Sequence, residues 1–266
     1  MTALGFAARL AVLAAAMAVL APVQLAALRF YHPLAQAIPQ RVHRLFLWLF
    51  GIRVIVRGHA PPPGSSTLIL ANHVSWLDIP VLSGLQPLSF IAKSEIADWP
   101  VFGVCARLQR CIFLDRSRKA ATHEVNGEVA ARLADGDAIV LFPEGTTGDG
   151  NRLLPFRSSL VGAARAALVD SGAGEIRLQP VAILYLRRNG LPVTRRERPA
   201  IAWYGDMELT SHVWEVARGG PLDVVVHWSE PIPFGTGTDR KRATRAVESA
   251  VGQALADDAI PRHAFA

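Results

Sequence analysis

Acidic residues are missing from the first 77 positions of the chain, cysteine occurs only twice, and no low-complexity tract or internal repeat is present. Cys105 and Cys111 are too few and too close in sequence to build a disulfide framework. Neither belongs to a C-x-x-C pair, so a reducing compartment is expected. The eight histidines show no metal-ligand spacing, and no metal is expected. With 51% hydrophobic and 19% charged residues the chain is neither disordered nor collagen-like. Its 266 residues hold one large domain or two small ones.

The missing acids locate the net charge. Ahead of Asp78 stand Arg9, Arg29, Arg41, Arg44, Arg53 and Arg57, and the remaining 22 basic residues cancel the 22 acidic ones, so the whole +6 excess is N-terminal. A nucleic-acid protein places its cations on a folded face among contact residues, whereas these flank an apolar segment. An anionic membrane surface is the expected partner, and nucleic acid is not.

That apolar segment, Leu10 to Leu28, contains only Gln24 as a polar residue and Pro22 as a disruptive one. As a helix it rises about 28 Å, close to the roughly 30 Å hydrocarbon core. A cleaved signal peptide is the competing reading, but Pro22 spoils the first small-residue cleavage site. Arginines crowd the C-terminal side of the segment, which places the rest of the chain on the cytoplasmic face of the inner membrane. A second stretch, Val42 to Phe50, alternates arginine with Leu, Phe and Trp on a helical period and reads as a helix in the headgroup layer. Residues 1–51 are therefore expected to form a membrane anchor, and residues 52–266 a single folded domain.

From Ile52 onward short β-branched runs alternate with helical stretches. Strands are predicted at Ile52–Val56, Thr67–Ala71, Leu88–Ala92, Ile112–Leu114, Ala138–Phe142, Leu178–Leu186, Ala200–Tyr204 and Val224–Trp228. Helices are predicted at Lys119–Ala134, with Ala121, Val125, Val129 and Leu133 on one face and Gly136 as its stop, at Leu209–Ala217 and at Lys241–Ala256. The last starts on basic residues, which the helix dipole disfavours. The alternation predicts the α/β class: a mixed, largely parallel sheet covered by helices.

Two constellations can carry chemistry. The strand Thr67–Ala71 runs into Asn72-His73-Val74-Ser75-Trp76-Leu77-Asp78, and ligands of open α/β sheets gather where strands end and helices begin. Five residues on a regular helix would leave His73 and Asp78 about 140° apart. They meet only if His73 lies in the loop and Asp78 in the first helical turn, where the carboxylate can fix one imidazole nitrogen and leave the other as a base. A surface loop histidine beside an ordinary first-turn acid fits the spacing equally well. The second constellation, Phe142-Pro143-Glu144-Gly145-Thr146, also follows an apolar strand. Pro143 forces the chain out of the sheet, and Gly145 permits close backbone approach. Taken alone it is a common turn sequence.

In these residues the chain resembles the glycerophospholipid acyltransferases, which acylate lysophosphatidic acid and related lysolipids. Asn72-His73 through Asp78 matches the family's N-H-x-x-x-x-D motif and Phe142 to Thr146 its F-P-E-G-T motif. Phe113-Leu114-Asp115-Arg116 is similar to its F-I-D-R block, and Gln179 to Ile183 to its proline-containing strand. These ordered blocks cover about Ile52 to Leu186, and Leu10–Phe50 is the counterpart of the family's N-terminal two-helix membrane element.

The resemblance implies an O-acyltransferase that moves a fatty acyl group from an acyl thioester to the free hydroxyl of a lysolipid. It implies no bound cofactor, with acyl-CoA or acyl carrier protein delivering the donor as co-substrate. The implied base is His73, steered by Asp78. Lys93, Arg116, Glu144, Gly145 and Thr146 are the implied substrate-binding residues. For Lys93 a surface ion pair with Glu95 is the alternative, and for Arg116 a solvated basic run. Ser75 is not expected to act as a nucleophile, since no G-x-S-x-G is present. The acceptor expected first is 1-acylglycerol-3-phosphate, giving phosphatidic acid. Lyso-ornithine lipid is the alternative acceptor, because the arginine that commonly follows F-P-E-G-T is replaced here by Thr147, ahead of Gly148-Asp149. A hydroxyl in place of a guanidinium removes a charge-assisted phosphate contact. A catalytically silent, membrane-bound lipid-binding module is the alternative of another class.

Overall fold

The computed structural model describes residues 2–115, 119–161 and 175–259. Two helices come first, α1 (Ala3–Phe30) and α2 (His32–Leu49), joined at Tyr31. The domain then runs β1 (Ile52–Gly58), β2 (Thr67–Ala71), α3 (Asp78–Leu85), β3 (Ser89–Lys93), α4 (Phe102–Leu108), β4 (Ile112–Leu114), α5 (Lys119–Ala134) and β5 (Ala138–Leu141). It continues with β6 (Glu175–Arg188), β7 (Leu191–Pro192), α6 (Leu209–Arg218), β8 (Leu222–Trp228), β9 (Ile232–Gly235) and α7 (Arg240–Ala259).

The strands form one mixed sheet in the order β1-β8-β6-β2-β5-β3-β4, with β7 and β9 also paired to β6. Neighbours from β6 through β2, β5 and β3 to β4 are parallel, as are β1 and β8, while β6 runs antiparallel to β7, β8 and β9. The period of two divides the apolar residues between two faces. Leu68 and Leu70 of β2, Ile139 and Leu141 of β5, and Ile176 and Leu178 of β6 meet α5 and α7. Ile69, Ala71, Val140, Val181, Ile183 and Tyr185 face the opposite layer, built on α2, α3 and α6. With every residue of β2 buried, the strand carries no polar alternation and reads as the near-continuous apolar run of a covered parallel sheet.

One expected strand is absent. Ile201 and Ala202 are buried, which gave Ala200–Tyr204 its strand-like pattern, but their N–H groups both donate to Arg198 O in a turn that follows a short 3₁₀ segment, Arg198–Ala200. Pro199 commits the local backbone to that turn before any ladder can start. Strand β9 was hidden in the opposite way, by Pro233, which removes a donor from a strand that pairs on one side only. The basic start of α7 is tolerated because Asp239 accepts from Arg242 N–H at 2.6 Å, an N-terminal cap placed just ahead of the arginines.

Helix α1 is long and apolar enough to cross a membrane. Both of its ends nevertheless touch the domain: Phe6 packs edge-on to Trp214 of α6 at 4.8 Å, and Gln24 donates to Leu108 O of α4 at 2.7 Å and to Ala35 O of α2 at 2.8 Å. The helix therefore lies along the domain. Leu4, Val19, Leu25, Phe30 and, on α2, Trp48 point outward, each more than 60% exposed. Helix α2 grips α3 from the other side: Arg44 Nε donates to Gly84 O at 2.7 Å and Gln40 to Leu85 O at 2.9 Å, capping the carbonyl end of α3.

Candidate active site

Strands β2 and β5 are parallel neighbours, so the loops at their C-terminal ends open side by side. Asn72 continues β2 with its side chain: Oδ1 accepts from Ile183 N–H at 2.7 Å and Nδ2 donates to Ile183 O at 3.0 Å, so a carboxamide replaces one rung of backbone pairing with β6. The chain then leaves the sheet. His73 stands in the loop, and Asp78 is the first residue of α3, the arrangement that the five-residue spacing requires.

The two side chains meet, with His73 Nδ1 lying 2.8 Å from Asp78 Oδ2. A carboxylate can only accept, so Nδ1 carries the proton and Nε2 holds the lone pair. Nε2 has no hydrogen-bond partner among the described residues, and the side chain is 19% exposed. Asp78 is fully buried yet not bare. Oδ2 also accepts from Val74 N–H at 2.7 Å and Ser75 N–H at 2.9 Å, and Oδ1 accepts from the Tyr185 hydroxyl at 2.7 Å. These bonds offset the desolvation that an unpaired buried charge would suffer. Burial, and then the Asp78 charge, push the Tyr185 hydroxyl well above its ordinary range, so it stays a proton donor. The Ser75 hydroxyl is buried, with no hydrogen-bond partner among the described residues.

The loop after β5 closes over the first. Phe142 stacks on the His73 ring, with centroids 3.9 Å apart and planes 10° off parallel. Glu144 is 3% exposed, and its Oε1 accepts from His73 N–H at 2.9 Å. Burial is the main influence on its carboxyl and raises it to about 8; the His73 and Leu154 amides pull the other way. Gly148 N–H donates to His73 O at 2.9 Å, a second tie between the loops. Gly145 has φ +76° and turns its own N–H onto Phe142 O at 3.1 Å, while Thr146 is exposed at the rim.

The structure thus brings His73, Asp78, Glu144, Gly145 and Thr146 to one place. Lys93 ends β3, two strands away from β2, and is exposed; no carboxylate among the described residues pairs with it. Arg116 lies outside the described residues. Two participants carried no legible signal in the sequence: Tyr185, whose partner is 107 positions away, and Trp76, which donates to His212 Nδ1 at 3.0 Å and packs against Phe46 of α2. Phe142 opened the F-P-E-G-T block, but nothing in the sequence showed its ring stacking on His73. Trp76 joins the His73 loop to both α6 and the N-terminal helix pair.

Comparison with known proteins agrees with this architecture. The Acyltransferase family model matches residues 53–184, which contain both loops. A lyso-ornithine lipid O-acyltransferase from Brucella abortus is 44% identical over 91% of this chain and 90% of its own. A 1-acyl-sn-glycerol-3-phosphate acyltransferase from Neisseria gonorrhoeae is 32% identical over 75% of this chain and 73% of its own. The crystal structure of the 1-acyl-sn-glycerophosphate acyltransferase PlsC from Thermotoga maritima shares the fold, with a TM-score of 0.57 at 21% identity, over 86% of this chain and 80% of that one. The chain belongs to the acyltransferase family.

Proposed function

We propose that the chain acylates a lysolipid hydroxyl, with His73 as general base and Asp78 as its orienting acid. The observation that supports this reading is the 2.8 Å contact from His73 Nδ1 to Asp78 Oδ2, with Nε2 left free. A thioester is already activated, so no covalent enzyme intermediate is needed. The acceptor oxygen attacks the thioester carbonyl carbon, its proton passes to His73 Nε2, the C–S bond breaks, and the imidazolium returns the proton to the departing thiolate. Asp78 stabilises the imidazolium, and Phe142 fixes the ring plane on which the base acts. Glu144, turned inward onto the His73 amide, positions the loop, and Gly145 and Thr146 border the acceptor entry. Lys93 and Arg116 serve the donor's or acceptor's anionic groups. The donor is an acyl thioester of CoA or acyl carrier protein, and no bound cofactor takes part.

For the acceptor we favour lyso-ornithine lipid. Support comes from Thr147, where an arginine would grip phosphate, and from the greater identity to the Brucella abortus enzyme than to the Neisseria gonorrhoeae one. 1-Acylglycerol-3-phosphate is the second reading. The exposed apolar side chains of α1 and α2 seat residues 1–51 in one leaflet, and the arginines beside them favour the cytoplasmic face of the inner membrane. Residues 52–266 are the catalytic domain.

Radiolabelled acyl transfer by membranes carrying wild type or His73→Ala tests the reading, with both lysolipids supplied side by side. The variant should lose about 100-fold or more of the rate. Equal rates would leave a silent lipid-binding module, and faster use of lysophosphatidate by wild type would reverse the acceptor order.

A further inference from the structure

The arginine-rich segment between β7 and α6 has no part in the chemistry above, yet it is sewn to the catalytic loop: Trp203 N–H donates to Val74 O at 2.9 Å. Within it Arg198 reaches the loop after β5, where Nη1 lies 3.4 Å from Gly150 O. Gly150 has φ +75° and sits between the two. A Cβ there would lie 3.2 Å from Val74 Cγ1 and 3.5 Å from Arg198 Cβ. Three loops, those of His73, Thr147 and Arg198, therefore meet at one point beside the base.

The charges at that point are unsatisfied. Arg198 Nε is buried with no hydrogen-bond partner, and no carboxylate among the described residues comes within ion-pair distance of the guanidinium. Its neighbour Glu197 is turned back onto Thr194, accepting from N–H at 2.9 Å and from Oγ1 at 2.8 Å. Burial and the nearby Arg195 both work against the Arg198 cation. One residue before Gly150, Asp149 accepts only from Asn151 N–H, at 2.9 Å, and pairs with no cation among the described residues. Asn151 Oδ1 is buried and unpartnered. A guanidinium short of an acceptor and a carboxylate with a carboxamide oxygen short of a donor flank the same glycine without pairing with each other. A partly desolvated guanidinium gains most from a bidentate anion, and the two oxygens gain most from an ammonium.

We propose that Arg198 and the Asp149–Asn151 turn form the acceptor-headgroup subsite, taking the carboxylate and the ammonium of a zwitterionic amino-acid headgroup. The proposal rests on the lysolipid acyltransferase reading. It gives the missing arginine at Thr147 a replacement that comes from a different part of the chain and carries an opposite charge beside it. A phosphate acceptor would use the guanidinium alone and would meet Asp149 as a repulsion.

The test uses the full-length protein in detergent micelles with short-chain lyso-ornithine lipid, short-chain lysophosphatidate and uncharged monoacylglycerol. It measures both calorimetric binding and acyl transfer. Arg198→Gln should weaken lyso-ornithine binding and raise its KM about tenfold or more, with kcat little changed and monoacylglycerol unaffected. Arg198→Lys should fall between wild type and Arg198→Gln, because it keeps the charge without the fork. Asp149→Asn should weaken lyso-ornithine lipid while leaving lysophosphatidate unchanged or tighter. Unchanged lyso-ornithine binding in Arg198→Gln, or a loss confined to lysophosphatidate, overturns the subsite. Binding without turnover by wild type would instead sink the enzymatic reading, and the binding arm would still decide whether Arg198 and Asp149 hold the headgroup. Arg198→Gln and Arg198→Lys melting as wild type does would assign any loss to the headgroup contact, whereas loss of binding by all three acceptors together with a lowered melting temperature would count against it.

Discussion

Tyr185 Oη and Asp78 Oδ1 are 2.7 Å apart, one from the middle of a buried strand and the other from the first turn of α3. The bond occupies the carboxylate oxygen that does not face His73, and so fixes the plane in which Oδ2 meets the imidazole. Tyr185→Phe keeps the ring and removes the donor. It should lower kcat about three- to tenfold with little change in KM, since the ring orientation is loosened while substrate contacts stay in place. An unchanged kcat with reduced thermal stability would make Tyr185 a packing residue only.

Asn72 substitutes for a backbone rung, so its loss should be felt as instability before it is felt as chemistry. In Asn72→Ala both the N–H and the C=O of Ile183 lose their side-chain partner inside the sheet, at a cost of about 2 to 4 kcal/mol together. Thermal melts of the detergent-solubilised protein should show the drop. Activity should fall with it at every substrate concentration, since His73 is the next residue.

Glu144 should write a pH dependence into stability. Folding raises its carboxyl from about 4.5 to about 8, so the stability carried by the protonated form is complete below about 4.5 and is lost as pH rises through about 8. Glu144→Gln stays neutral and keeps an oxygen for the His73 amide. Melting temperatures measured between pH 5 and 8.5 should decline for wild type and run flatter for the variant, and parallel curves would refute the assignment.

The outward apolar side chains of α1 and α2 should carry membrane affinity without carrying stability. Trp48 is 76% exposed and Leu25 is 61% exposed. Replacing both by Asp should weaken binding to anionic vesicles about 100-fold, at roughly tenfold per lost apolar contact, and leave the melting temperature in detergent within a degree or two. Vesicle flotation of the two proteins measures the first effect. Equal flotation would mean that another surface holds the membrane.

The strands at Thr67–Ala71 and Ile112–Leu114 and the helix at Lys119–Ala134 fall where the periodicity puts them, because each pairs or packs in the way its own residues favour. Ala200–Tyr204 misled because burial and strand pairing are separate matters. Ile201 and Ala202 are inside, packed against the sheet, without pairing to any strand in it. The α1 segment was legible as apolar, but its course along the domain was not. That course depends on Gln24 reaching Leu108, 84 residues further on, and on Phe6 finding Trp214.

The same division holds at the site. Local order alone determined that a histidine and an acid five positions apart would leave β2 where the sheet ends, and that Pro143 would turn the chain out beside them, since both follow from backbone geometry over a few residues. Which groups complete the histidine's surroundings was decided only by the tertiary structure. Tyr185, Phe142 and Glu144 reach Asp78 and His73 from other strands and loops, Trp76 ties the His73 loop to His212 of α6, and Arg198 meets the loop after β5 at Gly150; a hydrogen bond or a ring stack across such separations leaves no period or spacing in the sequence.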